Sequence, residues 1–249
     1  MPEILIIQPV GTNAFVRPTE EGLSRVKNED TRLCSAFLPD GPTHLTYRSY
    51  EALIVPRVLE LVRRARKQYD AAVISCFYDP GLYAAREIAG DLVVSAPCEA
   101  CCHIAATLGH KFSVLTNDAK CIPQMEQTIV GYGFGGKLAS LRSLGSSVYG
   151  LHQDEALTAR RMEEQARRAL EQDGAEVIVL GCTVQMGFSE RLRQTLGVPV
   201  IDAETAALKY AEFLVGLRDR CGWTPSRAGS FAPPPPKELA AFGLPDAGR

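Results

Sequence analysis

Two cysteines stand at points of the sequence where parallel sheets commonly carry reactive groups. Cys76 follows the run 71–75, which is apolar except for Ser75, and Cys182 follows the apolar run 177–180. Each run has the composition of a short buried strand, and a segment predicted to be helical comes after each cysteine. Ligands bind beyond the carboxyl ends of parallel strands, and the free N–H groups of a helix N-terminus favour a thiolate. We therefore expect Cys76 and Cys182 to carry chemistry, with thiol pKa values lowered toward neutrality.

A pair of thiols on opposite sides of one carbon could move a proton from one face of that carbon to the other. One thiol would start as the thiolate base and the other as the acid, and the roles would reverse with the direction of reaction. Backbone N–H groups after each cysteine, with the hydroxyls of Thr116 and Thr183, are candidates for holding the oxyanion that forms. A carbonyl next to the reacting carbon would activate its proton, so no metal and no cofactor is expected.

Strands and helices alternate along the chain and would position these two cysteines. Strands are predicted at 4–7, 33–38, 71–75, 92–94, 112–115, 138–144 and 177–180. Helices are predicted at 50–68, 80–89, 97–108, 122–130, 155–172 and 203–217. This alternation predicts an α/β fold with parallel sheets.

The repeated strand–cysteine–helix pattern predicts two pseudo-symmetric Rossmann-like lobes with a cleft between them. Lobe 1 would comprise 1–96 plus 204–249 and carry Cys76, and lobe 2 would comprise 97–203 and carry Cys182. The tail from Gly222 contains four consecutive prolines and is expected to be an extended surface segment.

Composition and charge narrow the classes of partner. The net charge of −2 in 249 residues gives no basic excess for phosphates, so we expect a small-molecule substrate and no nucleic acid. No apolar run reaches the ~20 residues of a membrane span, and the N-terminus lacks the pattern of a signal peptide. We therefore expect no membrane partner and a cytoplasmic location, where the eight cysteines would be free thiols.

Three further features have simple interpretations. The spacing of Cys98 and Cys101 suits zinc, but a second ligand pair is absent, and these residues with Cys102 are expected to pack in a helix. The glycine-rich stretch 131–136 follows a helix and precedes a strand, the reverse of a dinucleotide loop, and is interpreted as a connection. Asp79 is expected to cap the helix that Pro80 would open.

Three motifs resemble those of one known family. The stretch 74–82, Ile-Ser-Cys-Phe-Tyr-Asp-Pro-Gly-Leu, resembles the first-cysteine motif of hydantoin and allantoin racemases. The stretch 97–116 resembles their central segment, and Leu-Gly-Cys-Thr at 180–183 is similar to the second-cysteine motif of aspartate and glutamate racemases. The resemblance to the aspartate/glutamate/hydantoin racemase family extends over residues 4–217. The family usually has an Asn-Pro-Asn turn after its first strand, whereas this chain has Gln-Pro-Val at 8–10.

The resemblance implies two lobes, catalytic roles for Cys76 and Cys182, independence from pyridoxal phosphate, and a homo-oligomer. The residues expected to bind substrate are Gln8, Asn13, Phe77, Tyr78, Thr116, Asn117 and Thr183. The function expected is racemisation or epimerisation of a hydantoin-like or amino-acid-like substrate. Two alternatives stay open: a single-cysteine decarboxylase or cis–trans isomerase of the same fold, and a non-enzymatic accessory protein that binds a small ligand.

Overall fold

The computed structural model describes residues 1–244 and contains two compact units. Its strands are β1 (Glu3–Gln8), β2 (Arg32–Phe37), β3 (Ala71–Ile74), β4 (Val93–Ser95), β5 (Phe112–Thr116), β6 (Leu138–Ser143), β7 (Val177–Leu180) and β8 (Val200–Asp202). Its helices are α1 (Val16–Ser24), α2 (Arg48–Ala65), α3 (Leu82–Ile88), α4 (Pro97–Leu108), α5 (Ile122–Gly131), α6 (Glu155–Asp173), α7 (Ser189–Leu196), α8 (Ala203–Cys221) and α9 (Pro236–Ala241). Within this part of the chain, no helix has the length and apolar composition needed to cross a membrane.

The first unit is built on a four-stranded parallel sheet in the order β2-β1-β3-β4. It comprises Met1–Ser75, Pro80–Ala96 and residues 208–244. The central strands β1 and β3 are buried almost throughout, as apolar strands covered by helices on both faces are. Helix α2 turns Ile54, Val58 and Val62 into the core.

The second unit repeats this topology with the sheet order β6-β5-β7-β8, and all of its strand pairs are parallel. It comprises Cys76–Asp79 and Pro97–Ala207. Its core lies between β5, β7 and α6, where Leu115, Met162 and Ile178 are fully buried. In both sheets the strand order reverses beside the first strand of the unit, and parallel sheets bind their ligands at such points.

The two four-stranded parallel sheets and their flanking helices confirm the predicted α/β class with two units of like topology. The division predicted from the sequence assigned Cys76 to lobe 1 and began the return to that lobe at position 204. In the structure Cys76–Asp79 groups with the second unit, and the return begins at Leu208. Positions 245–249 of the predicted lobe lie outside the described residues.

Most predicted elements are present within a few residues of their expected bounds. Helix α4 and strand β7 have the predicted limits. Helix α3 begins at Leu82 rather than at Pro80, because Gly81 adopts a left-handed conformation with φ of 72°. The tail is exposed as expected, but it also contains the short helix α9, which begins at the end of the proline run.

Candidate active site

Cys76 lies in a tight turn that follows β3. The backbone N–H of Asp79 donates to the carbonyl of Cys76 at 2.9 Å, which closes the turn. Asp79 has φ of 51° and is the one non-glycine residue with positive φ among those described. Aspartate tolerates this conformation better than most residues, because its short polar side chain can bond locally. The turn leaves Cys76 partly exposed, while Phe77 and Tyr78 are buried.

Asp79 attaches this turn to the N-terminus of α4. Its Oδ1 accepts the N–H of Cys98 at 2.8 Å, and its Oδ2 accepts the N–H of Glu99 at 2.8 Å. The hydroxyl of Tyr132 also donates to Oδ2, at 2.9 Å. The expectation that Asp79 caps the next helix along the chain was therefore wrong. Its positive φ and burial direct the carboxyl to α4, whose first N–H groups have no partner within the helix.

The Asp79 side chain is almost completely buried, which penalises its charged form. Burial raises the pKa of Asp79 to about 7, and the nearby charge of Glu99 acts in the same direction. The N–H groups of Cys98 and Glu99 and the Tyr132 hydroxyl oppose this shift, because they stabilise the carboxylate. Asp79 therefore changes charge close to neutral pH.

Cys182 follows β7 and precedes a short 3-10 turn, Thr183–Gln185. Its carbonyl accepts the N–H of Gln185 at 2.9 Å, and its sulfur accepts hydrogen bonds from the Val184 N–H and the Asn117 side chain. Burial of the sulfur raises the pKa of Cys182 to about 11 despite these two donors. The expected lowering is thus wrong for this thiol. One 3-10 turn supplies a weaker N-terminal field than the α-helix that the sequence suggested.

The side chain of Tyr78 lies close to three thiols of the second unit. Its hydroxyl donates to the sulfur of Cys121, and burial is the main cause that raises its pKa above the ordinary value. Cys76 and Cys182 both lie near the same phenol. The two cysteines singled out from the sequence therefore have a common neighbour in one unit of the fold.

Exposure also separates these two cysteines from the other six. Cys76 and Cys182 are the two thiols of intermediate exposure, whereas Cys34 and Cys221 are exposed. The four remaining thiols are buried: Cys98, Cys101, Cys102 and Cys121. A reactive thiol needs both access to a ligand and shelter from bulk water, which intermediate exposure provides.

The buried cysteines of α4 behave as small apolar side chains. Burial raises the pKa of Cys98 and Cys101 well above the usual value, so both are neutral thiols near neutral pH. Cys102 is in hydrogen-bond contact with Cys98. Within residues 1–244, no group of three or more histidine, cysteine, aspartate or glutamate side chains is arranged to hold a metal ion.

The other predicted site residues fall in two places. Asn117 and Thr116 follow each other at the end of β5, and Thr183 opens the turn after Cys182. The Thr116 hydroxyl is buried and has no hydrogen-bond partner among the described residues. The remaining two belong to the first unit: Gln8, whose Nε2 donates to Thr19 Oγ1 at 3.0 Å, and Asn13, which is exposed in the following loop.

Three residues around the cysteines were not expected from the sequence. Cys121 contacts the Tyr78 hydroxyl, Tyr132 bonds to Asp79, and Gln185 bonds to the Asn117 side chain. Gln185 was detectable in principle, since a polar residue three positions after Cys182 lies in the same turn. Cys121 and Tyr132 reach the site through tertiary packing and carry no local sequence signal.

Comparison with known proteins identifies the family. The family model described as Asp/Glu/Hydantoin racemase matches residues 4–211. The chain belongs to this racemase family. It is 34% identical to a hydantoin racemase of Rhizobium meliloti over 95% of this chain and 97% of that protein.

Two further relatives agree with this result. A hydantoin racemase of Paenarthrobacter aurescens is 34% identical over 94% of this chain and 98% of that protein. The structure of an allantoin racemase from Klebsiella pneumoniae superposes with a TM-score of 0.86 at 31% identity, covering 94% of each chain. The racemase described here is therefore an enzyme of the isomerase class.

Proposed function

We propose that this racemase acts on a hydantoin-like or amino-acid-like substrate without a cofactor, with Cys76 and Cys182 as its two acid/base groups. The observation that carries the proposal is the position of Tyr78, whose phenol lies near both thiols. Cys76 also follows β3 and Cys182 follows β7, and in each sheet the strand order reverses between this strand and its central neighbour. The named relatives, hydantoin and allantoin racemases, support a cyclic amide or ureide as substrate.

The proposed reaction needs no external redox partner. A thiolate at Cys76 removes the proton from the substrate's stereogenic carbon, and the electron pair of that C–H bond moves into the adjacent carbonyl to give an enolate. The thiol of Cys182 then donates its proton to the opposite face of the carbon and becomes the thiolate. The other enantiomer reacts by the reverse sequence. Each acid/base group contributes on the order of 10²–10⁴-fold to the rate.

The state of Cys182 before reaction follows from its surroundings. Because burial raises its pKa to about 11, Cys182 carries its proton at neutral pH when no ligand is bound. It is then ready to act as the acid, and Cys76 is assigned the role of first base. The Val184 N–H and the Asn117 side chain would stabilise the Cys182 thiolate once the proton has left.

The test uses Cys76→Ser and Cys182→Ser with a panel of chiral 5-substituted hydantoins, allantoin and acidic amino acids in D₂O. Racemisation is followed by circular dichroism, and exchange of the α-proton is followed by NMR. Each substitution is expected to lower the racemisation rate by at least ~10³-fold, because serine is a much weaker acid than cysteine. Solvent exchange of one enantiomer is expected to persist in each variant.

Cys34→Ser and Cys221→Ser are the matched controls, because both of these cysteines are exposed. Both controls are expected to racemise at the rate of the unaltered enzyme. Full racemase activity in either Cys76→Ser or Cys182→Ser would refute two-base catalysis. Loss in one variant with full activity in the other would favour single-cysteine chemistry instead. Activity toward none of the panel would count against the proposed substrate class.

Three parts of the proposal extend beyond the site. The enzyme is expected to work in the cytoplasm, to form a homo-oligomer, and to act without nucleic acid or membrane partners. Light scattering of the purified protein measures the oligomeric state directly. The division with one cysteine in each lobe is also proposed, and it differs from the grouping in the structure at Cys76–Asp79, which packs with the second unit.

A further inference from the structure

Gln185 is a fully buried polar residue next to the second cysteine, and the racemase reaction as described above does not use it. Its side chain is 0% exposed, and that of Asn117 is nearly as well buried. The Nε2 of Gln185 donates to Oδ1 of Asn117 at 2.8 Å. This bond occupies the oxygen of the Asn117 amide, and the same amide donates its N–H to the sulfur of Cys182.

We propose that Gln185 is a positioning residue that holds the Asn117 amide with its N–H group toward the sulfur of Cys182. This inference rests on the proposed catalytic role of Cys182 and deepens it. A side-chain amide presents an oxygen on one side and an N–H₂ group on the other, and only the N–H₂ side stabilises a thiolate. A donor bound to the Asn117 oxygen therefore ensures that the N–H₂ group, and not the oxygen, faces the sulfur of Cys182.

The cost of keeping Gln185 in the core supports this role. Its Oε1 is buried and has no hydrogen-bond partner among residues 1–244. A buried amide oxygen without a partner destabilises a protein, whereas methionine of similar size would pack there without that penalty. A glutamine chosen for packing alone is thus unfavourable, and the bond to Asn117 supplies the reason for an amide at this position.

Gln185 also contacts the cysteine through its main chain. Its N–H donates to the carbonyl of Cys182 at 2.9 Å and closes the 3-10 turn. The turn fixes the backbone that follows Cys182, and the side chain of Gln185 orients Asn117. The Val184 N–H remains as a second donor to the sulfur when the Gln185 side chain is changed.

The test measures Cys182 itself rather than turnover. Gln185→Met removes the amide, and the rate of Cys182 alkylation by iodoacetamide is read by mass spectrometry of the peptide that contains it. Loss of the oriented donor lowers the thiolate fraction, so alkylation at about pH 8.5 is expected to be roughly tenfold slower, with the pKa of Cys182 about one unit higher. Gln194→Met, on the exposed face of α7, is the control and should leave the rate unchanged.

A double variant separates positioning from general loosening of the core. In an Asn117→Ala background the amide that Gln185 holds is absent, so Gln185→Met should slow alkylation no further.

Gln185→Glu keeps the length of the side chain but can only accept a hydrogen bond when ionised. It should turn the Asn117 N–H₂ group away from the sulfur and slow alkylation by more than tenfold. Gln185→Glu tests the positioning role if Gln185→Met does not fold.

The inference is overturned if Gln185→Met alkylates at the rate of the unaltered enzyme, or if it slows alkylation equally with and without Asn117. Neither result depends on racemase activity. Conversely, the racemase proposal fails if Cys76→Ser or Cys182→Ser remains fully active, whatever the alkylation rates are. The two failures are therefore distinguishable.

Discussion

Replacing Asp79 by asparagine tests whether the turn that carries Cys76 contains a group that titrates near neutrality. The pKa of Asp79 is about 7 in the folded protein, against about 4 for an aspartate in an unfolded chain. Between these two values the folded state binds the proton more strongly than the unfolded state. The contribution of Asp79 to the free energy of unfolding is therefore full below about pH 4 and is lost as the pH rises through about 7.

The expected size follows from the same two pKa values. From about pH 5 to about pH 8, the titration of Asp79 lowers the free energy of unfolding by about 2–3 kcal/mol. Asparagine has no charge to titrate. The difference in stability between the unaltered protein and Asp79→Asn should thus shrink by that amount over this pH range. Titrating groups that do not contact Asp79 are common to both proteins and cancel in the comparison.

The assay is equilibrium urea unfolding of both proteins, followed by far-UV circular dichroism at about pH 5, 6, 7 and 8. Asp154→Asn is the matched control, because Asp154 accepts the N–H of Leu157 at 2.8 Å at the exposed start of α6. It reproduces the loss of a helix-capping carboxylate without burial. A stability difference for Asp79→Asn that is constant over this range, or that grows toward alkaline pH, would show that the three donors outweigh burial and would refute the reasoning.

Two further predictions concern the second unit. A Cβ atom on Gly181 would lie 2.5 Å from Cγ1 of Val114, so Gly181→Ala should destabilise the protein by about 1–3 kcal/mol, whereas Gly131→Ala, which meets no atom within 4 Å, should not. Thermal unfolding that is unchanged in Gly181→Ala would contradict this prediction. Arg142 pairs with both carboxylate oxygens of Asp173, at 2.6 and 2.8 Å, and lowers the pKa of that carboxyl. Arg142→Met should cost about 1 kcal/mol at pH 7, and this cost should fall as the pH drops below about 4 and through the lowered pKa of Asp173. A cost in urea unfolding at about pH 2 that equals the cost at pH 7 would argue against the pair.

Elements with clear local signals were predictable from the sequence. Helix α4 has proline at its first position and Gly109 directly after its last, and it has the predicted limits. Strand β7 is a run of four apolar residues and was equally clear. Helix α1 was missed because only Thr19 and Leu23 of its nine residues are buried, which leaves almost no apolar periodicity to detect.

The surroundings of the two cysteines were less predictable than their positions. Strand ends and the repeated pattern identify Cys76 and Cys182, because both signals are local. The hydrogen-bond partners of Asp79 are distant in the sequence, since Cys98 and Glu99 lie about twenty positions further along the chain and in a different helix. Proline after Asp79 indicated a cap for the adjacent helix, and the left-handed turn at Asp79 gave a different result. Likewise, the pKa of Cys182 was expected to be low because of the field of the following helix. The burial of its sulfur, which raises the pKa, depends on tertiary packing and could not be seen in the sequence.

The high pKa of Cys182 has a consequence for how a two-thiol racemase would work. A thiol that holds its proton to about pH 11 is a weak acid toward water but a competent acid toward an enolate carbon, which is far more basic than a thiolate. The reverse direction needs Cys182 as a base, and the thiolate must then be stabilised for the lifetime of that state alone. Hydrogen bonds from the Val184 N–H and Asn117 can do this without water, because preorganised donors lose little free energy on reorganisation. Burial and donors thus act on opposite protonation states of one sulfur, and the Asn117–Gln185 pair is the part of that balance that a substitution can alter without changing the cysteine.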